Sequence, residues 1–395
     1  MDNDFSLWLV LPPLFFALGW ASARLDIWYL MREAAELPRQ YFDSLKAILA
    51  HRTDEATLFL SEVLKRQPDA GELQLALGEL YRRQGRFQQA VYLHEQLQHS
   101  PRVTQTLRNE ASLALARDYL SAGLWDRAES VLLTLKEDSE QGLEAERALV
   151  ELFEKSAQWD RAIEHRRHWA VKAMRSESKV IAHYRCEQAV QYISRQLWAE
   201  AEAVLLSALL ENPHSLRAQL LRAESAVQQG LLETVRQSCL EMETYQPDAI
   251  LLAIPLLQRA DEVLGTREAT YHYLKSYYER HRIPALLVPL SEWAMTYDDY
   301  PQGLVKNIFD ALAEYPSPSL LKAFIQLKLA LTRRERHEDV NNEDATLVTH
   351  VLQVYSRRYE IYRCESCGFV AHRHHWQCPA CRAWEPFPIV PELRS

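Results

Sequence analysis

Trp-Asp-Arg-Ala occurs twice in this chain, at Trp125–Ala128 and Trp159–Ala162, and the two copies stand 34 residues apart. Extending that spacing finds a small residue at Ala56, Ala90, Ala128, Ala162, Ala201, Val235 and Ala269, with intervals of 34, 38, 34, 39, 34 and 34. Prolines keep the same phase: Pro68, Pro213 and Pro247 each follow their small residue by 12 positions. A unit this short cannot bury its apolar face alone, so each copy must pack on the next and the chain must fold as a stack. Only 10 of the 395 residues are glycine. Strand-and-turn folds use glycine at their turns, so this scarcity points to helices joined by short connections.

A 34-residue unit of this pattern resembles the tetratricopeptide repeat, a helix–turn–helix module whose small residues let the two helices approach closely. The copy from Gly71 carries Leu77, Gly78, Tyr81, Gly85 and Ala90, and the copy from Asn109 carries Leu115, Ala116, Tyr119, Gly123 and Ala128. The copy from Ala182 keeps Ala189, Tyr192 and Ala201. Gly85, Gly123 and Gly230 fall at the turn between helices. The fold class is therefore all-α, a tetratricopeptide-repeat solenoid. Seven units are expected, followed by one or two degenerate ones before Arg357, because the pattern fades beyond Ala269. The leucines, tyrosines and alanines are packing residues. A concave face remains for recognition, lined by the first helix of each unit. Arg82, Arg117, Arg147, Glu151, His183 and Arg217 are the candidate partner-binding residues on it, against the alternative of an ordinary solvated face. No nucleotide-binding glycine loop, nucleophile elbow or His-Glu-x-x-His is present, so nothing in the array suggests catalysis. The net charge of −9, without a Lys/Arg block, disfavours a nucleic-acid partner.

The N-terminus departs from this pattern. From Phe5 to Ala23 there is no charged residue in 19 positions. As a helix the segment would be about 28 Å long, close to the roughly 30 Å of a bilayer's hydrocarbon core. Trp8 and Trp20 stand near its ends as interfacial aromatics do. Asp2 and Asp4 precede it and Arg24, Arg32, Arg39 and Lys46 follow, so the positive-inside rule places the N-terminus outside and the bulk of the chain in the cytoplasm. Ala21-Ser22-Ala23 resembles a signal-peptide cleavage site, but the acidic N-terminal region argues for an uncleaved anchor. Pro12-Pro13 is tolerated in such a span where neighbours or water satisfy the freed carbonyls.

Near the C-terminus, Cys364 and Cys367 form one Cys-x-x-Cys pair and Cys378 and Cys381 a second, with ten residues between them. Two such turns facing each other complete a tetrahedral four-thiolate site for one metal ion. A cytoplasmic location disfavours disulfides, and a redox Cys-x-x-Cys needs a βαβ context that a helical array lacks. Zinc is favoured, with iron left open, since both suit four sulfurs. His372, His374 and His375 read as exposed polar residues of the connecting strand, and Cys186 and Cys239 as packing residues of the repeats. So small a module draws its folding free energy from the metal. Phe369, Trp376 and Trp384 are expected to pack on the last repeats. The chain thus divides into an anchor (1–23), a juxtamembrane helix (24–36), the repeat array (37–357) and a metal-binding module (358–395).

Cys364-Glu-Ser-Cys367-Gly368-Phe369 and Cys378-Pro-Ala-Cys381 resemble the two knuckles of rubredoxin, although Arg382 stands where rubredoxin has glycine. With "HWQCPACRAW" and "ARDYLSAGLWDRAE", and with the order anchor, repeats, knuckle, the whole chain resembles the lipopolysaccharide assembly protein B family of Gram-negative bacteria. That resemblance implies a non-enzymatic adaptor of the cell inner membrane. It would lower lipopolysaccharide synthesis by promoting proteolysis of the lipid A deacetylase LpxC by the membrane-bound AAA+ protease FtsH, and would need both anchor and metal module. Other lipopolysaccharide assembly or regulatory membrane proteins are further partners it implies, and a homodimer is left open. The alternative is a rubredoxin-like iron protein transferring electrons from a repeat scaffold, with nucleic-acid binding through a zinc ribbon ranked last.

Overall fold

The computed structural model of the chain describes residues 52–137, 141–297, 302–336 and 343–393, together with Trp20 and Arg24. The expected anchor, 1–23, and the juxtamembrane helix, 24–36, otherwise lie outside the described residues. Among the described residues no helix is long and apolar enough to cross a membrane.

The chain forms two compact units, one ending at Ala173 and the other beginning at Met174. The first holds α1 (Thr53–Arg66), α2 (Gly71–Arg83), α3 (Phe87–His99), α4 (Gln105–Ser121), α5 (Trp125–Leu135), α6 (Gly142–Lys155) and α7 (Trp159–Ala173). The second holds α8 (Ser178–Ser194), α9 (Trp198–Glu211), α10 (Leu216–Gln229), α11 (Leu232–Tyr245), α12 (Ile250–Leu264), α13 (Arg267–His281), α14 (Leu287–Tyr297), α15 (Gln302–Glu314), α16 (Pro318–Arg336) and α17 (Glu343–Tyr359). Three short strands follow: β1 (Glu360–Arg363), β2 (Val370–Ala371) and β3 (Glu392–Leu393). Helices α2/α3, α4/α5, α6/α7, α8/α9 and α10/α11 pack as hairpins.

The small residues of the 34-residue phase lie where these hairpins close. Ala56, Ala90, Ala128, Ala162 and Ala201 are wholly buried, and Val235 takes the same place at 2 % exposure. Ala269 departs from the expectation: it is exposed, and its neighbours Thr270 and Tyr271 are buried instead. The repeat has slipped by one position in α13, and the slip explains why the pattern fades there. Cys186 and Cys239 are buried, and burial pushes both thiols up to about 12, so they sit protonated in the packing.

The turn inside each hairpin requires a left-handed residue. Gly85, Gly123 and Gly230 supply it at φ +76°, +75° and +74°. The α6/α7 and α8/α9 turns have the same geometry without glycine, at Ala157 (φ 54°) and Gln196 (φ 60°). A left-handed non-glycine residue costs about 1–2 kcal/mol, so helix packing, not local preference, holds these turns. Both units therefore use the same turn whatever residue occupies it.

Gly78 shows how tightly one crossing is built. A Cβ there would lie 2.3 Å from Nε2 of His94. The His94 ring is buried, with Nδ1 2.5 Å from Oδ2 of the equally buried Asp118 on α4, so it cannot move aside without abandoning that carboxylate. Gly78→Ala is expected to destabilise the first unit by about 1–3 kcal/mol, read as a lower urea midpoint with an unchanged denaturant slope.

Candidate metal centre and its seat on the repeats

The C-terminal strands form an antiparallel sheet in the order β2-β1-β3. Tyr362 pairs with Ala371 and Arg363 with Val370 on one edge of β1, and Ile361 with Glu392 on the other. The two cysteine turns that flank this sheet have matching backbones. In the first, the Gly368 N–H donates to the Cys364 carbonyl at 2.8 Å and the Cys364 N–H to the Phe369 carbonyl at 2.8 Å. In the second, the Arg382 N–H donates to the Cys378 carbonyl at 2.9 Å and the Cys378 N–H to the Ala383 carbonyl at 2.9 Å. Both turns need a left-handed residue after the second cysteine. Gly368 meets this at φ +75°, and Arg382 is driven to φ 61° although it is not glycine. The departure from the rubredoxin pattern at Arg382 therefore leaves the knuckle backbone intact.

The four cysteines converge. Sγ of Cys364 lies 3.7 Å from Sγ of Cys381, and Sγ of Cys367 lies 3.7 Å from Sγ of Cys378. Four sulfurs at zinc–sulfur distance form a tetrahedron with edges of about 3.8 Å, so the donor set fits one metal ion. Cys364 and Cys378 are buried, whereas Cys367 and Cys381 are exposed. Metal binding needs thiolates. At Cys378 burial pushes the thiol up, but the amide N–H groups of Cys381 and Ala380 and the neighbouring thiols bring it down to about 7. Behind the knuckles, Cys364, Ala371, Cys378 and Phe387 form a minute core. It is too small to fold alone, and the metal supplies the difference.

The expectation of three exposed histidines holds only for His372. His374 stacks edge-on with Trp376 at 4.8 Å, and His375 lies 5.9 Å from Phe387. Burial pushes both imidazoles below the usual histidine range. A module without a proper core draws imidazoles into its packing as well as aromatic rings.

The module sits on helices of the second unit. Trp384 lies flat against His183 of α8, with centroids 4.8 Å apart and planes 14° apart, and meets Tyr184 edge-on at 6.0 Å. The Arg217 guanidinium of α10 lies over the same indole at 5.6 Å while donating to Glu187 at 2.7 Å. Nε2–H of His183 donates to Glu385 at 3.1 Å. Burial raises the Glu385 carboxyl, but the hydrogen bond and charge of His183, with Lys179 and His374 beyond, leave it below the usual carboxylate range. Trp376 and Ile389 pack against the main core of the second unit. The seat is thus formed on α8 and α10 as well as on the later helices, not on the last repeats alone. Phe369 takes no part and stays 37 % exposed.

The candidate partner-binding residues fall into two groups. In the second unit, His183 is 1 % and Arg217 9 % exposed; both already hold the metal module. In the first unit, Arg82 is engaged by Glu79 and by Asp118. Arg117 pairs with Glu144 at 3.2 Å, Arg147 reaches the same carboxylate at 3.9 Å, and Glu151 pairs with Lys155 at 2.7 Å. These last three ion pairs are solvent-facing and carry little stability. Sequence reasoning missed Glu385 and the role of Trp384 toward His183. The only available signal was the density of aromatic residues around the cysteines.

Known proteins resemble both the repeats and the cysteine module. A family model described as the rubredoxin metal binding domain matches residues 362–387, and one described as the tetratricopeptide repeat matches residues 50–98 and 186–242. Lipopolysaccharide assembly protein B of Escherichia coli K12 is 25 % identical over 96 % of this chain and 96 % of its own length. The protein of that name from Haemophilus influenzae is 24 % identical, over 92 % of this chain and 94 % of its own. Among solved structures, the C-terminal part of a TPR repeat-containing protein from Cytophaga hutchinsonii overlaps 77 % of this chain and 97 % of its own at 14 % identity, with a TM-score of 0.35.

Two outcomes test the seat. Replacing Cys378 and Cys381 with serine should remove the metal, abolish the near-ultraviolet circular dichroism of Trp376 and Trp384, and make the second unit melt earlier while the helical signal persists. Trp384→Ala should keep the metal but weaken docking by about 1–3 kcal/mol, seen as faster hydrogen exchange along α8 and in the module.

Proposed function

We propose, starting from the end-to-end likeness to lipopolysaccharide assembly protein B, that this protein is a non-enzymatic adaptor that regulates lipopolysaccharide synthesis at the cell inner membrane. The observation that carries the reading is coverage: the relatives align over 92–96 % of a chain that holds both the repeats and the four-cysteine module. The finer reading is that it promotes proteolysis of the LpxC deacetylase by the membrane-bound protease FtsH. The expected anchor, 1–23, with its uncharged stretch from Phe5 to Ala23, would support this physically. Confining the repeats to the membrane plane raises their effective concentration at a membrane protease without any new contact. The exposed ion pairs of Arg117, Arg147 and Glu151 offer a charged surface that can exchange partners at little cost. The docked module covers His183 and Arg217, and by bracing α8 and α10 it keeps the neighbouring surface rigid for recognition. The role of each of these residues toward a partner is part of the proposal.

A reconstituted membrane assay with FtsH, LpxC and this protein tests the reading. Full-length protein should accelerate loss of LpxC, and a form lacking residues 1–23 should lose most of that effect at equal bulk concentration. Equal activity of the two forms would sink the proximity argument, and no acceleration by the full chain would sink the adaptor role itself. The second reading, electron transfer by a single iron, draws on the exposure of Cys367 and Cys381, which would bring a redox partner close to the sulfurs. It requires a red protein with reversible redox behaviour, and a colourless zinc-loaded protein excludes it.

A further inference from the structure

A second group of metal-ligating side chains lies in the first unit, on the α6/α7 hairpin. Glu146 projects from α6, and His165 and His168 stand one turn apart on the same face of α7. One ligand atom from each can be chosen so that all three lie within 4.8 Å of one another. Nδ1 of His165 is 2.7 Å from Oε2 of Glu146, and Nδ1 of His168 is 4.0 Å from Oε1 of the same carboxylate. The Glu146 and His165 side chains are 4 % and 7 % exposed, while His168 is 54 % exposed. A carboxylate is therefore buried at the centre of the group, with an open side at His168 through which an ion and a water could enter. The His165 ring is held by stacking on Phe153 at 5.2 Å and 21°, so its direction toward Glu146 is preset.

We propose that Glu146, His165 and His168 form a second metal site, for a divalent cation of the zinc class, independent of the four cysteines. Two imidazoles and one carboxylate are a donor set that zinc accepts, with a water at the fourth position. In a tetrahedral site ligand atoms stand about 3.3 Å apart. The His165–Glu146 contact must open slightly, as the imidazole moves its proton from Nδ1 to Nε2 and presents Nδ1 to the ion. His168 must close by a similar amount, and its exposure leaves its rotamer free to do so. Lys172 competes for the site, with its ammonium 4.0 Å from Oε1 of Glu146. That ammonium is also held by the Lys136 carbonyl at 3.1 Å, so it has an alternative partner when an ion takes the carboxylate. Binding would link α6 to α7 through their buried faces and staple the hairpin.

The test uses untagged full-length protein in detergent with its four-cysteine site filled with zinc. Titration with cobalt(II) should add one ion per chain, with d–d absorption of nitrogen and oxygen ligands and no new thiolate charge-transfer band. His168→Ala, at an exposed position that leaves the fold intact, should weaken this second binding at least about tenfold without changing the zinc content. Glu146→Gln should do the same, and circular dichroism checks that this buried variant is folded. Failure of the zinc-loaded protein to take up further cobalt, or uptake unchanged in His168→Ala, would overturn the proposal and leave the group as a buried Glu–His pair.

Discussion

The architecture depends on how closely two helices can approach within a hairpin. Where the phase-defining side chain is a methyl group, as at Ala90, Ala128 and Ala162, it is wholly buried and the helices close over it. Packing at this density leaves no slack, which is why Gly78 lies within overlap distance of the His94 ring and why Ala157 and Gln196 accept left-handed backbones. The same closeness sets the spacing from one hairpin to the next, and with it the pitch at which polar side chains emerge on the surface. The Arg117–Glu144 ion pair bridges α4 and α6 for that reason.

The metal module solves a different problem with different means. Its own apolar core amounts to Phe387, Ala371 and two cysteines, far less than chain ordering requires. Metal ligation makes up the deficit inside, and stacking on the repeats makes it up outside. Trp384 is the joint between the two: it follows the last ligand by three residues and packs against both His183 and Arg217. Loss of the metal would free the segment carrying Trp384, and loss of the seat would expose a tryptophan and a buried histidine. Ligation and docking therefore support one another, so that the module functions as a structural part of the second unit.

Much of the fold and of the metal centre was legible in the chain because both are written as spacings. The 34-residue phase needs only a small residue at each crossing, and two Cys-x-x-Cys turns need only their own backbones. Other features resisted sequence reading for identifiable reasons. Ala269 fits the period but is exposed, because α13 turns Thr270 and Tyr271 to the core instead, a one-residue shift that the spacing alone does not register. His183 and Arg217 occupy the positions of groove residues, yet they are covered by Trp384, 201 and 167 residues further along. No local pattern announces a contact of that range. Glu385 carries no motif at all, and its role appears only when the indole beside it is placed on α8. His374 and His375 look like polar linkers because sequence cannot reveal that a module this small must pack its imidazoles.

By itself the sequence determined that this is a helical stack, that it ends in a four-thiolate metal site, and that the N-terminal stretch is chemically unlike the rest. These properties follow from side-chain volume, backbone preference and ligand chemistry acting over a few residues. Only the tertiary structure decided which helices receive the metal module, which charged residues are spent in holding it and which remain open to solvent. It also decided that two histidines of α7 share one buried carboxylate of α6. Each of those outcomes depends on surfaces brought together from distant parts of the chain, where burial removes water and makes a stack or a hydrogen bond count.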